Sequence, residues 1–429
     1  MLLALALLSG GPDTLRWAAG VHPGPLVLSR PTVILAEPGA VLRGGGHGTV
    51  LTILAAGSVV RGLTIEGSGR DPDHYDAGVK IGADSVTLDH VTIRESLFGV
   101  YVERVREARL SYVTVTGREG GREGDRGDGI SFYASKSIVA DHPVISWTRD
   151  GIYFSYSDSV VVSNARVSHV RFGLHYMFSH ENRFERNVFT DNAAGAVIMN
   201  SRHVSVTGNV FAWNAGSRSY GLVLQTASDP VVAGNTFVGN GVGVFFDNVI
   251  RGDFRDNLVA ANWLGLELFA NSENTTVAGN AMTGNTFDVS GGGAPGAYQF
   301  CRDGRGNYWS RAARDGYDLD GNGVLDTPHP ASSPLAELAL TRESLRPLLE
   351  SPAAHTLDLA ERTIPVFNAI GAVDSCPLAK SPVFTSAREL PAAPAARLGG
   401  TLTQGLVGAV LTLGAAVVLV GLRRSEVPA

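Results

Sequence analysis

"NVFTDNAAGAVIMNSRHVSVTGNVFAWN", residues Asn187 to Asn214, holds one complete period of this chain. "NVFTDN" returns 22 residues later as "NVFAWN", and between them Gly195 opens a run in which Ala196 and Ile198 alternate with Val197 and Met199. The step recurs in both directions. Glycines that open such runs fall at Gly129, Gly151, Gly173, Gly195, Gly221, Gly243 and Gly265, spaced by 22, 22, 22, 26, 22 and 22 residues. Asparagines keep the same step at Asn187, Asn209, Asn235, Asn257 and Asn280, and a second column follows each by five residues. Weaker copies extend back through Gly99 and Gly78.

Glycine turns, short β-rich runs and a fixed step of this length describe one coil of a parallel β-solenoid, in which each repeat buries its face only against its neighbours. Apolar spacing of three and four, the mark of helical repeats, is scarce. After each glycine the first and third positions are apolar, as in Leu174 and Tyr176 or Val244 and Phe246, so these point inward and the residues between them outward. The asparagine columns read as amide ladders that bond coil to coil at the bends, a structural role. Two insertions break the step, "GREGGREGDR" after the Gly99 coil and "AGSRSY" before Gly221. Insertions in solenoids map to loops on one face, where binding elements gather.

The flanks differ from the repeat. Residues 1–20 begin with the apolar "MLLALALLS", similar to the core of an export signal but too short to span a membrane. The solenoid is expected over 21–290 and a different C-terminal region over 291–380, with a helical cap in the stretch from Ser333 to Phe367. A Pro/Ala-rich linker follows over 381–397. Residues 398–422 are uncharged over a length that matches a bilayer core, and Arg423 and Arg424 come next, so the expectation is a C-terminal anchor with the body outside the cytoplasm. Cys301 and Cys376 leave three outcomes open in an oxidising compartment: a disulfide, free thiols or metal ligation. The net charge of -6 and the lack of a dense Lys/Arg run argue against a nucleic-acid binder, and no phosphate-cradling glycine loop ending in Lys-Ser/Thr is present.

Three places carry chemistry. On the outward face His175 and Met177 lie one alternation apart, and the 22-residue step puts Met199 over Met177. Only four methionines occur in the chain, and two stacked beside a histidine make a thioether and imidazole set that suits Cu(I) better than Zn, Ca or Mg. His180 and His203 sit at neighbouring turns. The rival reading of this face is an apolar docking patch. In "DLDGNGVLD", Asp318, Asp320, Asn322 and Asp326 stand at the first, third, fifth and ninth places of a calcium-type loop, but the twelfth is His329 instead of Glu. Finally, Asp128 and Asp150 are one coil apart with Arg126 and Arg149 nearby, and "DPDHYD" at 71–76 is faintly similar to an epimerase motif, which admits a carbohydrate-active lyase or epimerase.

Across nearly its whole length the chain resembles the NosD family: "LVLSRPTVI" and "VVRGLTIEGSG" early, "RDGIYFSYS" and "RFGLHYMFSHENRFERN" centrally, "GNYWS" with "GYDLDGNG", and "SPAAHTLDLAERTIP" late. The "RAARD" link, the two cysteines and the hydrophobic C-terminus depart from that pattern. The resemblance implies an all-β, right-handed parallel β-helix and a non-enzymatic periplasmic accessory protein for maturation of nitrous oxide reductase. It also implies partners: an ABC transporter permease and ATPase, a copper-delivering lipoprotein and the reductase itself. Copper would be bound transiently, as Cu(I), and the inner membrane reached through the C-terminal helix.

Overall fold

The computed structural model describes residues 13–332 except 121, 217, 218 and 295, together with 336, 338, 340, 372–384 and 390–393. About half of the chain within that range is β, in short strands of two to nine residues, and it divides into two compact units, 1–170 and 171–429.

In the first unit each coil contributes three strands, and strands of successive coils pair in parallel. One sheet runs through Asp13–Trp17, Thr32–Ala36, Val59–Arg61, Thr87–Asp89, Arg109–Ser111, Val139–Asp141 and Val161–Ser163. Register is direct, so that Leu88 faces Val60 on one side and Leu110 on the other, all three fully buried. Strand Asp13–Trp17 falls within the segment expected as a leader.

The second unit repeats the plan. Its site-bearing sheet is formed by Phe172–Met177, Ala194–Arg202, Tyr220–Ser228, Val242–Ile250, Leu264–Leu268 and Phe287–Gly291. Alternation sets its two faces: Leu174, Tyr176, Ala196, Ile198, Leu222, Leu224, Val244 and Phe246 are all buried inside. Like residues stack on like, as in Phe189, Phe211 and Phe237, whose rings lie 5.2 and 5.0 Å apart and nearly parallel. The glycine column has a steric cause. A Cβ on Gly195 would stand 2.5 Å from the Gly221 carbonyl oxygen and 2.8 Å from the Phe211 ring. Each unit is thus a stretch of right-handed parallel β-solenoid, with a coil of about 22 residues through most of the second unit and register steps from 19 to 30 residues in the first.

Both asparagine columns are hydrogen-bonded ladders. Asn187 donates its backbone N–H and side-chain amide to Asn209 Oδ1, Asn209 to Asn235, Asn235 to Asn257 and Asn257 to Asn280. The first ladder runs one rung past the expected column, to Asn307, and ends on Asp374. The coils likewise continue beyond 290, through Tyr298–Gln299 and Tyr308–Trp309.

Cys301 and Cys376 form a disulfide, which selects one of the three outcomes left open. Of the expected helical cap, Ala336, Leu338 and Leu340 are described as helical, and Ala336 packs fully buried against Val242, Leu264 and Phe287. The rest of the cap, the apolar N-terminal residues 1–12 and the expected anchor 398–422 lie outside the described residues. Among the described residues no helix is long and apolar enough to cross a membrane. The expected linker is not free of the fold where it is seen: Leu390 packs against Val188, Val210 and Ala212, and Trp213 donates its indole N–H to the Pro391 carbonyl at 3.2 Å.

Candidate metal centre

His175 and Met177 both lie on the outer face of strand Phe172–Met177, each half-buried and alternating with buried Leu174 and Tyr176. Met177 pairs in register with Met199 and His175 with Val197. Hydrogen-bonded strands lie about 4.8 Å apart, so the two thioether side chains leave the sheet as neighbours. Around them Phe172, Met199, Tyr220 and Phe245 pack on Ala194, Val197 and Val223, an apolar surround on the outside of the sheet. The His175 ring meets Phe172 edge to face at 5.2 Å.

The other two histidines stand apart from this set. His180 lies past the bend, bridged to Arg202, whose backbone N–H donates to His180 Nδ1 at 3.2 Å. His203 faces Asp229 at 4.0 Å, and Arg251 holds that carboxylate at 2.7 Å. Both belong to the bend, where backbone and ion-pair contacts orient them, and not to the methionine face.

Three residues on the same sheet were missed in the sequence. The methionine column continues through Gln225 and Asp247, where Gln225 Nε2 donates to Asp247 Oδ2 at 2.8 Å. The His175 column continues to Glu267, which stacks on Phe245 and whose carboxyl is pushed up to about 6 by burial. Extending each column by the coil step reaches all of them.

The calcium-type loop closes on itself. Gly323 N–H donates to Asp318 Oδ2, Leu319 N–H to Asp326 Oδ2, and Asn322 through both its backbone and its amide to Asp320. His329, at the twelfth place, pairs with Asp374 in a short antiparallel bridge and packs on Trp309, which takes it out of the loop. Among the described residues no three His, Cys, Asp or Glu groups converge as metal ligands. The donors of the Met177 and Met199 face are thioethers, a different ligand type.

The carboxylates considered for sugar chemistry are each buried or ion-paired. Asp128 is 2% exposed, and the Arg149 guanidinium grips it through both oxygens at 3.1 and 3.2 Å. Asp150 is fully buried, with its carbonyl accepting the Gly129 N–H. Asp71 of "DPDHYD" is exposed and paired with His74 at 2.8 Å, which holds its carboxyl below the ordinary range.

The fold defines a class, the parallel β-solenoids, and the outer face of one of its sheets sets Met177 beside Met199 with His175 one alternation away. The chain belongs to the NosD family. Residues 106–313 match the family model described as "Periplasmic copper-binding protein (NosD)". A protein of Pseudomonas aeruginosa named "Probable ABC transporter binding protein NosD" is 35% identical over 385 residues, covering 86% of this chain and 89% of its own. One of the same name from Stutzerimonas stutzeri is 33% identical over 399 residues, covering 89% and 90%. Among solved structures, the A-module of the mannuronan C-5 epimerase AlgE6 of Azotobacter vinelandii superposes with a TM-score of 0.56 at 13% identity, covering 68% of this chain and 90% of that one. At that identity the likeness is one of fold alone.

Proposed function

We propose that this protein handles copper in the cell envelope as a non-enzymatic partner of an ABC transporter, serving the maturation of nitrous oxide reductase with a copper-delivering lipoprotein. One observation carries the reading: Met177 and Met199 are register partners on an outer face, with His175 one alternation away. Soft thioether and imidazole ligands select Cu(I), and a surface site with few ligands lets the metal leave again. His180 and His203, at the adjoining bend, are places where copper would rest before or after that site. Asp318, Asp320, Asn322 and Asp326 are kept as a calcium candidate of second rank, because their carboxylates already close turns.

Anaerobic Cu(I) titration of the full chain tests the site. Leu for Met keeps volume and apolar character, so Met177→Leu with Met199→Leu should change stability by less than about 1.5 kcal/mol. Copper affinity should fall on the order of tenfold or more, the loss of one soft ligand or two. Unchanged affinity would exclude this face, and normal partner binding by a chain that never takes copper would leave the docking reading in its place.

Residues 398–422 serve in this reading as an inner-membrane anchor that holds the solenoid outside the cytoplasm. Protease added to spheroplasts should digest the body, and full protection would reverse the orientation.

A further inference from the structure

Two irregularities of the first unit, far apart in sequence, meet at one place. The "DPDHYD" turn at 71–76 and the inserted loop at 117–127 line two adjoining cavities of about 1040 and 180 Å³ that share Arg70, Glu95 and Arg118 as walls. Arg122, Arg126 and Trp147 complete the smaller one.

Its arginines are unlike those on the coils around it. Arg43 and Arg94 both grip Glu66 at 2.7 Å, Arg61 grips Asp89 at 2.7 Å, and Arg149 grips Asp128. By contrast Arg70, Arg118 and Arg122 form no ion pair among the described residues. Arg126 donates Nη2 to the Gly120 carbonyl at 3.0 Å, while its Nε is enclosed without an acceptor. A guanidinium N–H cut off from water and unbonded costs free energy of about 1–3 kcal/mol, unless a ligand supplies the acceptor. Among the described residues the nearby acids do not supply it: Asp71 is held by His74, Asp76 accepts the Asp71 N–H, and Glu95 and Asp125 are exposed to solvent.

We infer that this cleft is a binding site for an anionic ligand, one whose carboxylate or phosphate group enters the smaller cavity against Arg118, Arg122 and Arg126 while the rest of the molecule occupies the larger. The planar fork of arginine matches both oxyanions two bonds at a time, which makes the group read its shape as well as its charge. The small cavity admits one such group and the large one a body of several rings or residues. The inserted loop brings Arg118, Arg122 and Arg126 to this point. Nothing in the site depends on the methionine face, which belongs to the other unit.

The test is calorimetric titration of the full chain with inorganic phosphate, trigalacturonate and neutral maltotriose. Both anions should bind at low salt, and binding should weaken as ionic strength rises. Trigalacturonate binding more tightly than phosphate would assign the larger cavity to a sugar acid, and equal affinities would assign the site to the oxyanion alone. Arg118→Ala with Arg126→Ala should weaken both on the order of tenfold or more, the loss of charge-assisted hydrogen bonds, and Arg126→Lys should fall between. An unchanged melting temperature and an unchanged Cu(I) titration would show that these variants are folded and that the methionine face is intact. Failure of both anions to bind, equal binding of maltotriose, or wild-type affinity in the double variant would each overturn the proposal.

Discussion

A single amide shows how much one position carries in this fold. Asn235 Oδ1 accepts the Asn209 backbone N–H and side-chain amide at 2.8 and 2.9 Å, and Asn235 Nδ2 donates to Val206 and to Asn257 at 2.8 and 3.0 Å. All of this is fully buried. Asn235→Ala strands two donors and an acceptor without water, and should cost about 2–4 kcal/mol. Asn235→Asp should cost more, because a carboxylate would face the Val206 carbonyl and Asn257 Oδ1 with no proton to give either. Urea unfolding reads both, and a loss under ~0.5 kcal/mol for the alanine variant would mean that the ladder is incidental to stability. Such a residue is legible in sequence because its environment repeats: whatever Asn209 needs, Asn235 needs one coil later. Met199 over Met177 was legible for the same reason.

At the scale of elements, what closes the second unit shows where that legibility stops. Asp374 accepts hydrogen bonds from the Asn307 N–H at 2.7 Å, the Trp309 indole at 2.9 Å and the Cys376 N–H at 3.0 Å, and the Asn307 amide reaches it at 3.3 Å. It ends the asparagine ladder at its donor end. The disulfide fixes Asp374 there, two residues from Cys376. None of this has a period: a residue used once, 67 positions from its partner, leaves no pattern to read. The Leu390 and Pro391 contacts were hidden for a related reason, since a Pro/Ala-rich stretch looks the same whether it lies on a sheet or runs free. Cleft arginines are equally silent, because isolated surface charges resemble a solvated face. Replacing both Cys301 and Cys376 with Ser removes a link closing a loop of 75 residues and should cost about 2–5 kcal/mol. Fluorescence of Trp309, bonded to Asp374, should report the loosening before the far-UV signal of the coils falls. Simultaneous loss of the two signals would show that the closure unfolds with the rest.

Over the whole molecule these local environments set a pH profile of stability. Glu66 is desolvated but held by Arg43 and Arg94, and Asp89, Asp141 and Asp229 have partners that likewise keep their carboxyls below the ordinary range. The stability they contribute is present above the unfolded carboxylate range and is lost as pH falls through it, near 4 and below. Two groups work in the opposite sense. Glu267 is raised to about 6 by burial on the outer sheet face, and burial raises Asp374 despite its hydrogen bonds. For a carboxyl so raised the folded state holds the proton more tightly, so its contribution is complete below the unfolded value and disappears as pH rises through the folded one. Stability should therefore peak near pH 4–5 and decline toward neutrality, with Glu267 alone accounting for about 1–2 kcal/mol of the decline between pH 4.5 and 6.5. Glu267→Gln keeps the shape and removes the titration. It should flatten that part of the profile and leave the acid limb below pH 4 as it was, which chemical denaturation at pH 4.5, 5.5 and 6.5 reads directly. An unchanged slope in the variant would place the titrating group elsewhere, and Asp374→Asn is the next to compare. Because Glu267 lies on the His175 column of the proposed copper face, the same series separates a pH effect on folding from one on metal affinity: a Cu(I) affinity that shifts with pH in wild type and Glu267→Gln alike does not pass through this carboxyl.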